Sequence, residues 1–267
     1  MRYDTLLYEK HDRSAVLTLN RPERHNAFNL RMIEELADAW RSIKSDSAVV
    51  SVVVTGAGEK AFCTGMDLHE VAAGDSDAKA RLRREQSPFF QLTALQHRCW
   101  KPVVTALNGM VVGGGLHFVI DSELVICAEH ATIRDTHVRT GLVAGIEPVT
   151  LARRIPLEQV FRLALLGGDE VMSAQQALQY GLVGEVLPAE QLMPRALQLA
   201  HRIGRHSPTA LARTKKAIWN SLDQGLDAAL TSTWNDILEH NDHPDIKEGA
   251  RAFVEKREPR WQPLGDL

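Results

Sequence analysis

Cysteine is scarce in this chain. Three residues, Cys63, Cys99 and Cys127, are scattered over its length, too few and too far apart for a disulfide framework or a zinc cluster. A reducing cytoplasm is the simplest home for such a protein. Long apolar runs are missing as well: no stretch of eighteen residues is apolar enough for a membrane helix. The opening residues, MRYDTLLYEKHDR, are charged from the start and lack the apolar centre of a secretory signal. Neither charge sign dominates. Lys and Arg number 31 against 34 Asp and Glu, a formal net charge of −3, so no long-range field draws the chain to nucleic acid or an anionic membrane. Low-complexity tracts and tandem repeats are also absent. What remains is 267 residues, 44% hydrophobic and 24% charged, enough to bury a large core as one domain with or without a small appendage.

Several common chemistries lack their motifs. Thr55-Gly56-Ala57-Gly58 follows an apolar run and invites a dinucleotide reading, but the fingerprint G-x-G-x-x-G needs glycine where Ala61 stands. Tyr3, Tyr8 and Tyr180 have no Lys four residues on, which removes the Tyr-Lys pair of short-chain dehydrogenases. The G-x-S-x-G nucleophile elbow is missing; its nearest relative, Gly74-Asp75-Ser76-Asp77-Ala78, lacks the closing glycine. Neither H-E-x-x-H nor paired C-x-x-C occurs, so no dedicated metal site is expected. Cys63 has no base beside it in sequence and reads as packing rather than as a nucleophile.

Elements of two periods alternate along the chain. Residues 15–19 read as a strand. Asn29 is a fitting N-cap for a helix whose Ile33, Leu36, Ala37, Trp40 and Ile43 share one face. Residues 49–55 form an uncharged β-branched run, the pattern of a strand covered on both faces. Residues 74–98 are charged and suggest a mobile loop leading into a helix. Residues 103–107 and 124–128 read as further strands. Between them lie Gly113, Gly114 and Gly115, which either make a tight turn needing positive φ or uncover amides that can receive negative charge. From about residue 157 the pattern is mostly helical: Ser173 caps a short helix closed by Gly181, and helices span about 189–204 and 208–222. Strand–helix alternation followed by helices indicates an α/β core with a helical C-terminal portion. The expected division is a core over residues 1–200 and a helical region over 201–267.

Longer stretches resemble a known family. Leu19-Asn20-Arg21-Pro22-Glu23-Arg24-His25-Asn26-Ala27-Phe28-Asn29 is similar to the N-terminal signature of the crotonase (enoyl-CoA hydratase/isomerase) superfamily. Val53 to Gly56, continued by Phe62-Cys63-Thr64-Gly65-Met66-Asp67-Leu68, resembles its first oxyanion segment. Lys101 to Asn108 with the triple glycine resembles the second, and Gly181-Leu182-Val183 and Ala252 to Arg257 also match. The resemblance implies a crotonase-type spiral of ββα units whose C-terminal helices pack homotrimers, often doubled to homohexamers. It implies an acyl-CoA thioester as substrate, with coenzyme A entering as part of that substrate and no separate cofactor. By the same resemblance the backbone N–H groups of Met66 and Gly114 form an oxyanion hole. Arg24, Ala27, Thr64, Gly65 and Leu68 line the coenzyme A, and Phe253 and Lys256 reach the coenzyme A of a neighbouring subunit. An enolate or tetrahedral oxyanion held by two backbone donors is the chemistry such a hole serves, each donor supplying about 2.7–4 kcal/mol of barrier lowering.

One departure bears on the reaction. The family's hydratases carry two glutamates, one two positions after the triple glycine and one about twenty residues further on. Here those positions are His117 and His137. The loop that follows, Ala144-Gly145-Ile146-Glu147-Pro148, brings a new carboxylate, Glu147, and Glu123 replaces the usual Asp of the glycine signature as a structural swap. Imidazole titrates near neutrality and serves as base or acid without the upward tuning a carboxylate needs. A His oriented by a carboxylate, here Glu147 or Asp135, activates water for attack on a carbonyl. Hydrolytic or retro-Claisen carbon–carbon cleavage is the expected reaction, since some crotonase members that cleave β-diketones are similar in placing His at these sites. Hydration or isomerisation with His as acid and base, and acyl-CoA binding without turnover, are the alternatives.

Overall fold

The computed structural model describes residues 2–72 and 91–265. Most of the expectation for residues 74–98 therefore lies outside the described residues. Its far end, residues 91–98, forms bends and turns rather than a helix.

Among the described residues ten strands alternate with helices. In chain order they are β1 (Leu6–His11), β2 (Ser14–Leu19), α1 (Leu30–Ser45), β3 (Ser51–Gly56), β4 (Ala61–Cys63), α2 (Leu68–Ala72), β5 (Val103–Leu107) and β6 (Met110–Val112). A tight 3-10 turn over Gly113–Leu116 runs into the one-turn α3 (His117–Ile120), followed by β7 (Leu124–Ala128), β8 (Thr132–Arg134), α4 (Ile146–Leu151) and α5 (Leu157–Leu165). β9 (Met172–Ser173), α6 (Ala174–Gln179), β10 (Glu185–Leu187), α7 (Ala189–Gly204), α8 (Pro208–Ser221), α9 (Leu226–His240) and α10 (Pro244–Glu255) complete the chain. Two sheets result, of strand order β1-β2-β3-β5-β7-β10 and β4-β6-β8-β9. β1 and β2 form an antiparallel hairpin, and from β2 onward the larger sheet is parallel.

The local signals act as their chemistry requires. The Asn29 side chain accepts from the Met32 amide and starts α1. Ser173 and Gln176 close a capping box on α6, and Gly181 leaves it at φ 77°. The β-branched run of β3 is buried at every residue, and its side chains divide by parity. Val52 and Val54 join the main core with Leu17, Leu19, Trp40 and Phe62, whereas Val53 joins a second cluster with Val16, Val104 and Ile126 under α7. A strand covered on both faces is what an uncharged run predicts. α7 (residues 189–204) spans residue 200, where the division was expected, and packs on the sheet. The short strands β4, β6, β8, β9 and β10 escape the sequence reading, because two or three residues carry no readable alternation.

One ionic cluster ties α8 to the sheet. Lys215, almost fully buried, places Nζ 3.1 Å from Glu123 Oε2 and donates to the carbonyls of Lys101 (2.9 Å) and Cys99 (3.2 Å). Glu123 also accepts from the Val103 amide at 2.7 Å and from Trp219 Nε1 at 2.8 Å. Glu123 thus bonds one strand edge and one helix at once, as a structural swap would. Removing Lys215 leaves half-buried Glu123 without its countercharge and takes from the Cys99 and Lys101 carbonyls their buried side-chain donor. Lys215→Ala is expected to lower stability by about 3–5 kcal/mol; denaturant unfolding at fixed protomer concentration measures the loss.

Candidate active site

The site is assembled from the loop after β2, the segment after β4, the glycine turn after β6, the loop after β8, and α4. The first two are clamped together. Asn26 is fully buried at φ 55°, a left-handed conformation that Asn tolerates better than most residues. Its amide donates to the carbonyls of Ala57 and Ala61, and its Oδ1 accepts from the Arg21 amide. Arg21 pairs with Asp67 at 2.9 Å and donates to the Ala27 carbonyl. The candidate coenzyme A residues Arg24, Ala27, Thr64, Gly65 and Leu68 all lie on these two joined segments. Arg24 and Leu68 are exposed, Thr64 is half-buried, and Ala27 and Gly65 are buried.

Close backbone packing brings Gly65, the residue before Met66, against Gly114. Phe28 N donates to Gly65 O and Asp67 N to Phe28 O, a parallel bridge that turns the Met66 N–H to the opposite side of its strand. A Cβ at Gly65 (φ 83°) would stand 3.0 Å from Gly114 N. Gly114 is in the first turn of its helix, where an amide has no intrahelical acceptor. A Cβ at Gly115 would meet Cys63 O at 2.3 Å, so only glycine allows β4 and the turn to approach this closely. Gly113 has φ 51°, the positive φ that the tight-turn reading of the triple glycine requires. Burial pushes the Cys63 thiol up to about 12, which leaves it a packing residue.

The two imidazoles meet over one carboxylate. Glu147, at the start of α4 and 6% exposed in its side chain, places Oε1 3.2 Å from His117 Nε2 and 3.9 Å from His137 Nε2. His137 packs against the glycine turn, its Cε1 3.4 Å from where a Gly113 Cβ would stand. Of the two carboxylates considered for orienting His137, Asp135 is the one bonded to it. Asp135 Oδ1 accepts from both the backbone amide and Nδ1 of His137, each at 2.8 Å. That bond, aided by the charges of Asp135 and Glu147 against the opposing effect of burial, raises the His137 pKa above its usual value. Burial by itself would raise the Glu147 pKa, but the hydrogen bond and charge of His117, with help from His137, outweigh it and hold the carboxyl below its usual range.

His117 is buried, and beyond it lies a cavity of about 320 Å³ whose walls include Gln96, Trp100, Ile146 and Trp219. Gln96, which bonds His117 Nδ1 at 3.1 Å, was not identified from sequence: it belongs to no motif and lies at the far end of residues 74–98, where a helix was expected and a turn is found. Phe253 is exposed near the end of α10, and Lys256 caps that helix at φ 51°. Among the described residues no hydrogen bond or ion pair joins either of them to the site.

Comparison with known proteins follows the same lines. The family model described as enoyl-CoA hydratase/isomerase matches residues 9–263. An enoyl-CoA hydratase/isomerase from Mycobacterium paratuberculosis superposes with a TM-score of 0.87 at 37% identity, covering 98% of this chain and 99% of that one. Curated relatives include (E)-benzylidenesuccinyl-CoA hydratase of Thauera aromatica, 33% identical over 93% of this chain and 95% of its own. Another is mevalonyl-coenzyme A hydratase sidH of Aspergillus fumigatus, 33% identical over 93% and 91%. The chain belongs to the enoyl-CoA hydratase/isomerase family and has the crotonase fold. It is an acyl-CoA enzyme of that family.

A base must be unprotonated to act, so turnover that uses His137 rises with pH through its raised pKa. Asp135→Asn removes the main cause of that rise. The acid limb of kcat/KM is therefore expected to move to lower pH, while the rate falls on the order of 10³-fold because the tautomer is no longer fixed; a pH–rate profile of the variant measures both.

Proposed function

We propose that this enzyme activates water for attack at the β-carbon of an acyl-CoA thioester, and that its reaction is hydrolytic, retro-Claisen cleavage of a β-ketoacyl-CoA. The observation that carries the reading is the Asp135–His137 pair beside Glu147 and His117. His137, proton on Nδ1 toward Asp135, offers its Nε2 lone pair to water and is 20% exposed. Water gives a proton to Nε2 as its oxygen bonds to the β-carbonyl carbon. The alkoxide collapses, the Cα–Cβ bond breaks, and its electron pair enters the thioester as an enolate. The N–H groups of Met66 and Gly114 hold the enolate oxygen. Cα takes up the proton gained at His137, passed on through Glu147 between the two rings, with His117 assisting as a hydrogen-bond donor to that carboxylate. The products are a carboxylic acid and a shortened acyl-CoA, with atoms and charge balanced by the one water consumed. Coenzyme A is read as lying along Arg24, Ala27, Thr64, Gly65 and Leu68, with Phe253 and Lys256 serving a neighbouring subunit.

A second reading is hydration of a 2-enoyl-CoA, and the relatives named as CoA-ester hydratases favour it. The same residues would act in the same order, because there too water adds at Cβ, an enolate forms and Cα is protonated. The substrate's oxidation state at Cβ separates the two.

The assembly is read as a homotrimer or homohexamer. Leu226, Leu230, Trp234 and Ile237 follow one another at helical spacing along α9, and all are exposed. Light scattering is expected to give three or six protomer masses; a monomer at micromolar concentration would reject this.

Purified protein given a β-ketoacyl-CoA is expected to release acid and shortened acyl-CoA, read by mass spectrometry, and His137→Ala to lose on the order of 10³-fold in rate. Crotonyl-CoA, followed at about 263 nm, is the contrasting substrate. Fast hydration of it, lost in His137→Ala, selects the second reading, and binding of both thioesters with turnover of neither rejects catalysis.

A further inference from the structure

Gln96 decides which nitrogen of His117 carries the proton. Its Oε1 accepts from two consecutive backbone amides, Leu92 N at 2.7 Å and Thr93 N at 3.3 Å. A primary amide has one oxygen, so the end facing His117 Nδ1 at 3.1 Å is the NH2 group. That group donates and cannot accept through its nitrogen, which requires Nδ1 to present a lone pair. The reverse orientation would set the NH2 against two backbone donors. The turn around it is anchored independently of the site. Trp40 Nε1 donates to Leu92 O at 2.9 Å, and the Thr93 hydroxyl donates to buried Asp121 at 2.7 Å.

We propose that Gln96 is a positioning residue that holds His117 as the neutral tautomer protonated at Nε2. The charged and titratable groups around His117 make this a real choice. Glu147 of α4 faces Nε2 at 3.2 Å, with His137 on the far side of that carboxylate. Asp121, just beyond the end of α3, adds a second negative charge with Arg154 behind it. Protonating Nδ1 would set an N–H against the Gln96 NH2, and that bond opposes the second proton.

The two histidines thereby become chemically different. His137 keeps its proton on Nδ1, against Asp135, and offers a lone pair at Nε2. His117 keeps its proton on Nε2, against Glu147, and offers a proton there. One is set as acceptor and the other as hydrogen-bond donor before any substrate arrives. The use of this difference in turnover rests on the reaction proposed above; the tautomer itself does not.

Long-range 1H–15N correlation spectra of histidine-labelled enzyme without substrate test the tautomer, with the His117 signals assigned by their loss in His117→Gln. At about pH 8, above the ordinary imidazole range, His117 is expected to show a protonated Nε2 and an unprotonated Nδ1. Gln96→Glu supplies an acceptor instead of a donor, and is expected to move a proton onto Nδ1 and raise the His117 titration by one pH unit or more. If that variant does not fold, Gln96→Met, which keeps the length and removes the donor, is expected to give a mixture of tautomers. A protonated Nδ1 in the unaltered enzyme, or spectra unchanged by the folded variants, would overturn the proposal. The expected spectra in a protein that turns over neither thioester would defeat the reaction and leave Gln96 standing; the wrong tautomer in an enzyme that cleaves would do the opposite.

Discussion

A carboxylate removed from water must be compensated, and the site is organised around that requirement at Glu147. Its side chain is 6% exposed, yet its pKa is held down rather than up. The compensation comes from two imidazoles, His117 within 3.2 Å and His137 at 3.9 Å, and from its place in the first turn of α4. Each imidazole is fixed on its other nitrogen, His137 by Asp135 and His117 by Gln96. The carboxylate, the two rings and their two anchors therefore form one unit, in which changing a proton at any member alters the charge felt by the others.

The scaffold meets a steric requirement of equal stringency. Gly65, Gly114 and Gly115 lie where the segment after β4 and the turn after β6 approach at backbone distance, and a Cβ at Gly115 would collide with the Cys63 carbonyl. That approach sets Gly65, next to Met66, against Gly114, and the amides of Met66 and Gly114 are the donors that the proposed function uses. The Arg21–Asp67 pair and the buried Asn26 fix one wall of the same region. Rigid backbone is a suitable source of such donors, since it needs no reorganisation as charge develops.

Much of this was readable from residue order. The uncharged runs at β3, β5 and β7, the Asn29 and Ser173 caps and the pattern of α7 and α8 depend on local chemistry, and each element lies where that chemistry puts it. The positions of His117, His137 and Glu147 were identifiable because each lies at a fixed offset from a recognisable motif. Their pairing was not. Both Glu147 and Asp135 were available to His137 by sequence distance, and the shorter loop gave Asp135 the hydrogen bond, while Glu147 came to lie between the rings, closer to His117.

Residue order by itself determined the family, the alternation of strands and helices, the backbone flexibility at three successive glycines and the replacement of two acids by imidazoles. Tertiary structure alone decided which carboxylate meets which ring and that a glutamine from a turn with no motif faces His117. The reason is physical: periodicity and caps act within a few residues along the chain, whereas a hydrogen bond to an imidazole nitrogen is set by side chains that only packing brings within 3 Å or so.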